Sequence, residues 1–261
     1  MQITTILFPA LALGVIALFF GAVLGFSSMV FEVKKDKRIE KISQILPNAN
    51  CGGCGYAGCS AFAEAIVNDG ADASRCNLMN DEIAESVSII LDKKIDAVKK
   101  VARVKCNATL DSCVNIANLS GDYTCFSANL LSGGAKACPY GCLGLGDCLT
   151  ACKFGAITIV DNKANIDASK CTGCGACIKA CPKKIIELTI KDAKTFVACS
   201  SQDKGADVNK YCKAGCIACR MCEKNCESGA ISIVNNLAVI DYTKCTNCGK
   251  CKEICPKKVI I

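Results

Sequence analysis

Nine cysteines recur along this chain at a constant offset of 74 residues, without a gap. Cys125, Cys138, Cys142, Cys148 and Cys152 return as Cys199, Cys212, Cys216, Cys222 and Cys226. Cys171, Cys174, Cys177 and Cys181 return as Cys245, Cys248, Cys251 and Cys255. Other positions follow the same offset: Gly155-Ala-Ile-Thr-Ile-Val matches Gly229-Ala-Ile-Ser-Ile-Val, and Pro182-Lys-Lys-Ile-Ile matches Pro256-Lys-Lys-Val-Ile. Self-similarity at a fixed period marks copies of one structural unit. Each copy reads as loop, short helix, strand, turn, strand, cysteine loop, short helix, strand. Ile157 to Val160 with Ala164 to Ile166 reads as a hairpin, as does Ile231 to Val234 with Leu237 to Ile240. Asp161-Asn162 and Asn235-Asn236 supply the turn chemistry.

The chain has 25 cysteines in 261 residues and no histidine. A secreted disulfide scaffold is short and holds an even number. Zinc sites use separated Cys pairs, often with His. Here the cysteines come in tight runs. Cys216-x2-Cys219-x2-Cys222-x3-Cys226 and Cys245-x2-Cys248-x2-Cys251-x3-Cys255-Pro256 have the spacing of two-cluster ferredoxins, in which the fourth Cys binds the other cluster. One [4Fe–4S] cluster is therefore expected on Cys216, Cys219, Cys222 and Cys255, and its neighbour on Cys245, Cys248, Cys251 and Cys226. The first copy departs from the run, because Leu145 stands where the repeat predicts a Cys. Cys152, Cys171, Cys174 and Cys177 still make a set. Cys142, Cys148 and Cys181 need a fourth ligand, for which Cys138 is the natural candidate; a three-ligand cluster is the alternative. Cys51, Cys54, Cys59 and Cys76 read as a fifth [4Fe–4S] site, with structural zinc as the alternative. Of the five remaining, Cys106, Cys125, Cys199 and Cys212 could hold a sixth cluster between the repeats, leaving Cys113 free. The other reading is buried, inert thiols.

Ile3 to Phe31 carries no charge and exceeds the roughly 20 residues that cross a bilayer. Gly14, Gly21 and Gly25 recur along it, as small residues do where membrane helices pack. No basic residue precedes it, unlike a signal peptide. Lys34, Lys35, Lys37, Arg38 and Lys41 follow it. A single-pass protein of the cell membrane is expected, with the N-terminus outside and the cluster domains in the reducing cytoplasm.

The expected fold is α+β: a transmembrane helix (1–32), a small helical [4Fe–4S] domain (33–92), a linker (93–124) and two tandem ferredoxin-like domains (125–190 and 191–261). Within the second of these segments, residues 33–50 suggest an amphipathic helix running into Leu46-Pro47. Ser60 to Asn68 suggests another, with Phe62, Ile66 and Val67 on one face. Asp81 to Arg103 reads as a helix leading into the linker. Gly53-Cys-Gly-Tyr-Ala-Gly58 matches a dinucleotide-binding glycine pattern but has no strand before it; its glycines suit close approach of backbone to a cluster. The formal charge of +7 counts every thiol as neutral. Five clusters at about −2 each would turn it to about −3, and no aromatic platform or Arg stripe speaks for nucleic acid. Ligated thiolates without any histidine give no general acid, base or nucleophile.

Leu46-Pro-x-x-Asn50-Cys-Gly-Gly-Cys-Gly, Ala137-Cys-Pro-Tyr-Gly-Cys-Leu-Gly-Leu-Gly-Asp-Cys and Cys199-Ser-Ser-x-Asp-Lys-Gly, behind an N-terminal apolar segment, resemble the B subunits of the Rnf complexes of anaerobic bacteria over essentially the whole chain. That family also shows Leu at the position of Leu145. Asn77, Lys153 and Glu227 stand where many relatives have Pro after a ligand Cys, which bears on loop geometry. The resemblance implies a component of a translocase that oxidises reduced ferredoxin, reduces NAD⁺ and exports Na⁺ or H⁺. This component would relay ferredoxin electrons to a membrane-embedded iron–sulfur centre, with flavins and the NAD site on other subunits. The implied partners are those subunits, soluble ferredoxin and the lipid bilayer. Lys183, Lys184, Lys257 and Lys258 could attract an acidic ferredoxin or be ordinary solvated surface. A membrane-anchored polyferredoxin of another complex, such as a hydrogenase or formate dehydrogenase, and a non-redox structural metal protein are the other readings.

Overall fold

The structure, a computed structural model, describes residues 3–30, 36–95, 99–119 and 121–261. Helix α1 (Ile3–Val30) is uncharged throughout, and its described large side chains, such as Leu18 and Phe26, are exposed. Its side chains are described without a break only from 13 to 27. Counting described residues alone, no helix is long and apolar enough to cross a membrane. The membrane span expected over 1–32 is thus not carried by the structure, and its flank at Lys34 and Lys35 lies outside the described residues.

Helices α2 (Lys37–Ile45), α3 (Cys59–Asn68) and α4 (Asp81–Leu91) form a small bundle. Asp36 caps α2 by accepting the Arg38 N–H, and Asn80 caps α4 by accepting the Ile83 N–H. Ile42, Phe62 and Val87 are almost completely buried at its centre, each contributing roughly 1.5–3 kcal/mol by leaving water.

The helix expected as far as Arg103 ends at Leu91. Strand β1 (Lys100–Val104) follows. It contains two valines, whose branched Cβ atoms favour a pleated surface. In the first repeat come α5 (Cys125–Ser132), α6 (Asp147–Thr150), β2 (Ile157–Val160), β3 (Lys163–Ile166), α7 (Ala176–Ala180) and β4 (Ile186–Ile190). The second holds α8 (Gly205–Tyr211), α9 (Met221–Lys224), β5 (Ile231–Val234), β6 (Leu237–Ile240) and α10 (Lys250–Glu253). β2–β3 and β5–β6 are antiparallel hairpins. Their turn residues Asp161, Asn162, Asn235 and Asn236 all have φ between 47° and 61°, the left-handed pair that a type I′ turn requires.

The expected linker is no linker where the structure describes it. β1 pairs antiparallel with β4, from Lys100↔Ile190 to Val104↔Ile186, and Arg103 lies over the Phe196 ring at 5.0 Å. Further along, the backbone of 112–116 is stitched between the repeats. Val114 N–H donates to the Tyr211 carbonyl at 2.9 Å and Ile116 N–H to the Ala135 carbonyl at 2.8 Å.

The helical bundle docks on the first repeat through Gly53 and Asn77. A Cβ on Gly53 would stand 2.9 Å from the Cys174 carbonyl oxygen, and Asn77 Nδ2 donates to the Gly173 carbonyl at 2.8 Å. Gly53→Val is expected to weaken this docking by about 1–3 kcal/mol, the usual result of overpacking. Limited proteolysis across 92–99 should then cut faster than in the parent, with the thermal transition of the repeats unmoved.

Candidate metal centres

Cysteine thiols ring five cavities of about 290–390 Å³ each, counting their open mouths. Three match the sets read from spacing. Cys51, Cys54, Cys59 and Cys76 surround one in the helical bundle, where Asn50 Oδ1 accepts the Cys59 N–H at 2.9 Å and so fixes the start of α3. Cys152, Cys171, Cys174 and Cys177 surround the second, and Ala102 N–H in β1 donates to Cys171 Sγ at 3.4 Å. Cys216, Cys219, Cys222 and Cys255 surround the third, with the Val259 N–H on Cys255 Sγ at 3.4 Å. Amides aimed at sulfur are the kind of contact that tunes a cluster's potential. Cys226, Cys245 and Cys251 pack against one core, and Cys251 is raised by burial, with Cys245 and Cys248 near enough to add to it.

The fourth cavity groups the cysteines differently from the sequence reading. Cys142, Cys148 and Cys181 are joined there by Cys125, not by Cys138. Asp147 brings this about: its carboxylate accepts the N–H of Cys125 at 2.8 Å and of Phe126 at 3.0 Å, tying the first turn of α5 to α6. Cys138 lies instead in the fifth cavity, with Cys106, Cys199 and Cys212. Compared with the expected sixth set, Cys125 and Cys138 have exchanged places.

A signal for this exchange was present in the sequence. Val104-Lys-Cys106 and Val197-Ala-Cys199 are alike, and the structure makes them counterparts. Cys142 N–H donates to Cys106 Sγ at 3.4 Å, and its repeat mate Cys216 donates to Cys199 Sγ at 3.4 Å. The strand ending at Val104 pairs with Ile186, and the segment at Val197 pairs with Ile260. Cys106 to Cys138 spans 32 positions and Cys199 to Cys212 spans 13, so the first copy carries 19 extra residues. The constant offset hides that insertion. Cys125 belongs to it and lines the same cavity as Cys142, Cys148 and Cys181. Cys113 is the remaining thiol: it sits beside Cys212 in an isolated antiparallel bridge and does not line the cavity.

The donor chemistry suits cubanes. Burial, with neighbouring thiols adding to it, pushes Cys148 up to about 12 and Cys222 up to about 11. Such groups stay protonated unless a cationic centre takes them as thiolates. Among the described residues no three Cys, Asp or Glu converge closely enough to hold a single ion. The thiols surround open spaces, as the corners of a [4Fe–4S] core require. Asp147→Ala is expected to free Cys125, with about 1–2 kcal/mol of stability lost through the cap and a three-iron EPR signal in the oxidised protein. An unchanged spectrum would return the fourth ligand to Cys138.

A family model for an Fe-S cluster matches residues 46–77, and one for a 4Fe-4S dicluster domain matches 138–185 and 215–259. The chain is 39% identical over 242 residues to the B subunit of an ion-translocating oxidoreductase complex of Methanosarcina acetivorans, covering 92% of each chain. It is 42% identical over 261 residues to the B subunit of the Na(+)-translocating ferredoxin:NAD(+) oxidoreductase complex of Acetobacterium woodii, covering 99% of this chain and 78% of that one. It is 38% identical to the B subunit of the proton-translocating ferredoxin:NAD(+) oxidoreductase complex of Clostridium ljungdahlii, covering 98% of this chain and 92% of that one.

Proposed function

Since the chain belongs to the family of B subunits of ion-translocating oxidoreductase (Rnf) complexes, we propose that it relays electrons from reduced ferredoxin through [4Fe–4S] clusters toward the membrane subunits of such a complex. The complex as a whole reduces NAD⁺ and moves Na⁺ or H⁺; this chain supplies a path and no catalytic side chain. Bound clusters supply one-electron chemistry. The residues assigned to hold them are Cys51, Cys54, Cys59 and Cys76; Cys152, Cys171, Cys174 and Cys177; Cys125, Cys142, Cys148 and Cys181; Cys216, Cys219, Cys222 and Cys255; and Cys226, Cys245, Cys248 and Cys251.

One observation carries the direction of the path. Cys174 lines both the cavity of the first repeat and that of the helical bundle, so the two sites adjoin. The bundle is joined in sequence to the apolar α1. With 28 uncharged residues, about 42 Å of helix, α1 is assigned as the membrane anchor, its N-terminus outside and the cluster domains in the cytoplasm. The second repeat, farthest along the chain from that anchor, is the intake end for ferredoxin. The Lys183 ammonium does not face a partner freely: it donates to the Pro139 carbonyl at 2.8 Å, which leaves Lys184 and Lys258 as the more exposed of the four lysines.

The purified full chain, mixed anaerobically with reduced ferredoxin, is expected to bleach in its iron–sulfur absorbance within the mixing experiment. NAD⁺ should be reduced only when the remaining subunits are added. A chain that reduced ferredoxin leaves oxidised would overturn the reading. NAD⁺ reduction unaffected by its removal from the complex would favour service to another redox complex.

A further inference from the structure

We propose that the two ferredoxin-like repeats are joined by a sixth [4Fe–4S] cluster, held at their interface by Cys106, Cys138, Cys199 and Cys212. This rests on the reading that the other cysteine-ringed cavities hold cubanes. Neither matched family segment includes Cys106, Cys199 or Cys212.

The four thiols line one cavity, and all are buried, 6–8% exposed. They come as two equivalent pairs. Cys106 and Cys138 belong to the first copy, Cys199 and Cys212 to the second, and each copy places its pair against the other's. Each pair brings the same amide: Cys142 N–H on Cys106 Sγ and Cys216 N–H on Cys199 Sγ, both at 3.4 Å. Such bonds to sulfur stabilise a thiolate ligand. A matched pair of glycines leaves backbone room beside it. A Cβ on Gly141 would crowd the Cys138 carbonyl, and one on Gly215 would run into Val208 and approach Cys212 Sγ. Tyr211 closes one wall, its hydroxyl donating to Asp203 at 2.6 Å.

The site lies where a relay needs it. The amides that point into it belong to Cys142 and Cys216, themselves assigned to the nearest cluster of each repeat. The six sites then form one line. It runs from the Cys245 set through the Cys216 set, the interface, the Cys142 set and the Cys171 set to the Cys51 set. One electron at a time would pass through it, with no bond made or broken and no proton moved.

The test is iron and acid-labile sulfide per chain, measured on the full chain purified anaerobically in detergent, together with EPR. Six clusters of four irons give about 24 irons per chain. A wild-type count near 20 overturns the interface cluster and leaves the proposed function standing; a count near zero sinks both. The Cys106→Ala, Cys199→Ala double variant is expected to lose four irons and four sulfides, with the EPR signals of the remaining clusters retained. An unchanged iron content in that variant overturns the proposal. Cys113→Ser is expected to keep the full count. If it loses four irons while Cys138→Ser loses none, the assigned ligand set is wrong. Zinc at the interface in place of iron would be equally fatal.

Discussion

Replacing Cys51 and Cys76 by serine in the assembled complex is expected to abolish NAD⁺ reduction by reduced ferredoxin, while dithionite still reduces the clusters of both repeats. The loss should be complete because the sites are in series. The cavity of the helical bundle adjoins the first repeat through Cys174 alone among the cysteines that line either cavity. Gly53, through its backbone against Cys174, and the Asn77 side-chain amide, donating to the Gly173 carbonyl, hold the two together. The bundle keeps its own apolar core of Ile42, Phe62 and Val87, so the double variant should still fold, and its helical circular dichroism is the control. Residual NAD⁺ reduction at more than background would mean that electrons leave the chain elsewhere, and the direction assigned to the path would fall with it.

Stripping the iron is expected to unfold both repeats and spare the helical bundle. Seven of the fifteen buried residues in the core shared by the repeats are cysteines. Without clusters six of them, all but Cys113, enclose cavities rather than fill them. Each repeat has only three or four short strands or strand segments and helices of four to eight residues. A unit of that size rarely holds more than about 3–5 kcal/mol on an apolar core alone, and where folding depends on a metal the binding free energy is folding free energy, about 10–16 kcal/mol for structural zinc. Chelation under reducing conditions should therefore remove from the far-ultraviolet spectrum the contribution of β1 to β6 and of the short helices α5 to α10, and leave that of α1 to α4. A stripped chain with unchanged spectra and the same thermal transition would show that the repeats stand without their clusters.

Much of each repeat could be read locally. The hairpins follow from alternating apolar positions and from Asp161-Asn162 and Asn235-Asn236, whose side chains tolerate the left-handed turn. Three of the cysteine groupings that line cavities were legible from spacing, because thiols separated by two intervening residues fit one face of a cube. β1 was not legible, because what makes Lys100–Val104 a strand is β4, 82 to 90 residues later. Its own residues run on from the helical pattern before it. The exchange of Cys125 for Cys138 was hidden for another reason. The offset of 74 holds from Cys125 onward by coincidence of length, since the 19-residue insertion contains a cysteine that falls opposite Cys199. Only the matched amide–sulfur contacts of Cys106 and Cys199 separate the true counterpart from the accidental one.

The pairing of β1 with β4 also sets a timetable. Chains are made at about 5–20 residues per second, so β1 waits roughly 4–18 s on or near the ribosome before its partner strand exists. Throughout that interval the helical bundle, complete by residue 95, can already be furnished with its cluster. The thiols of the first repeat, by contrast, have only an unfinished scaffold around them. Synthesis order thus lets the bundle be completed before the repeats, opposite to the proposed flow of electrons.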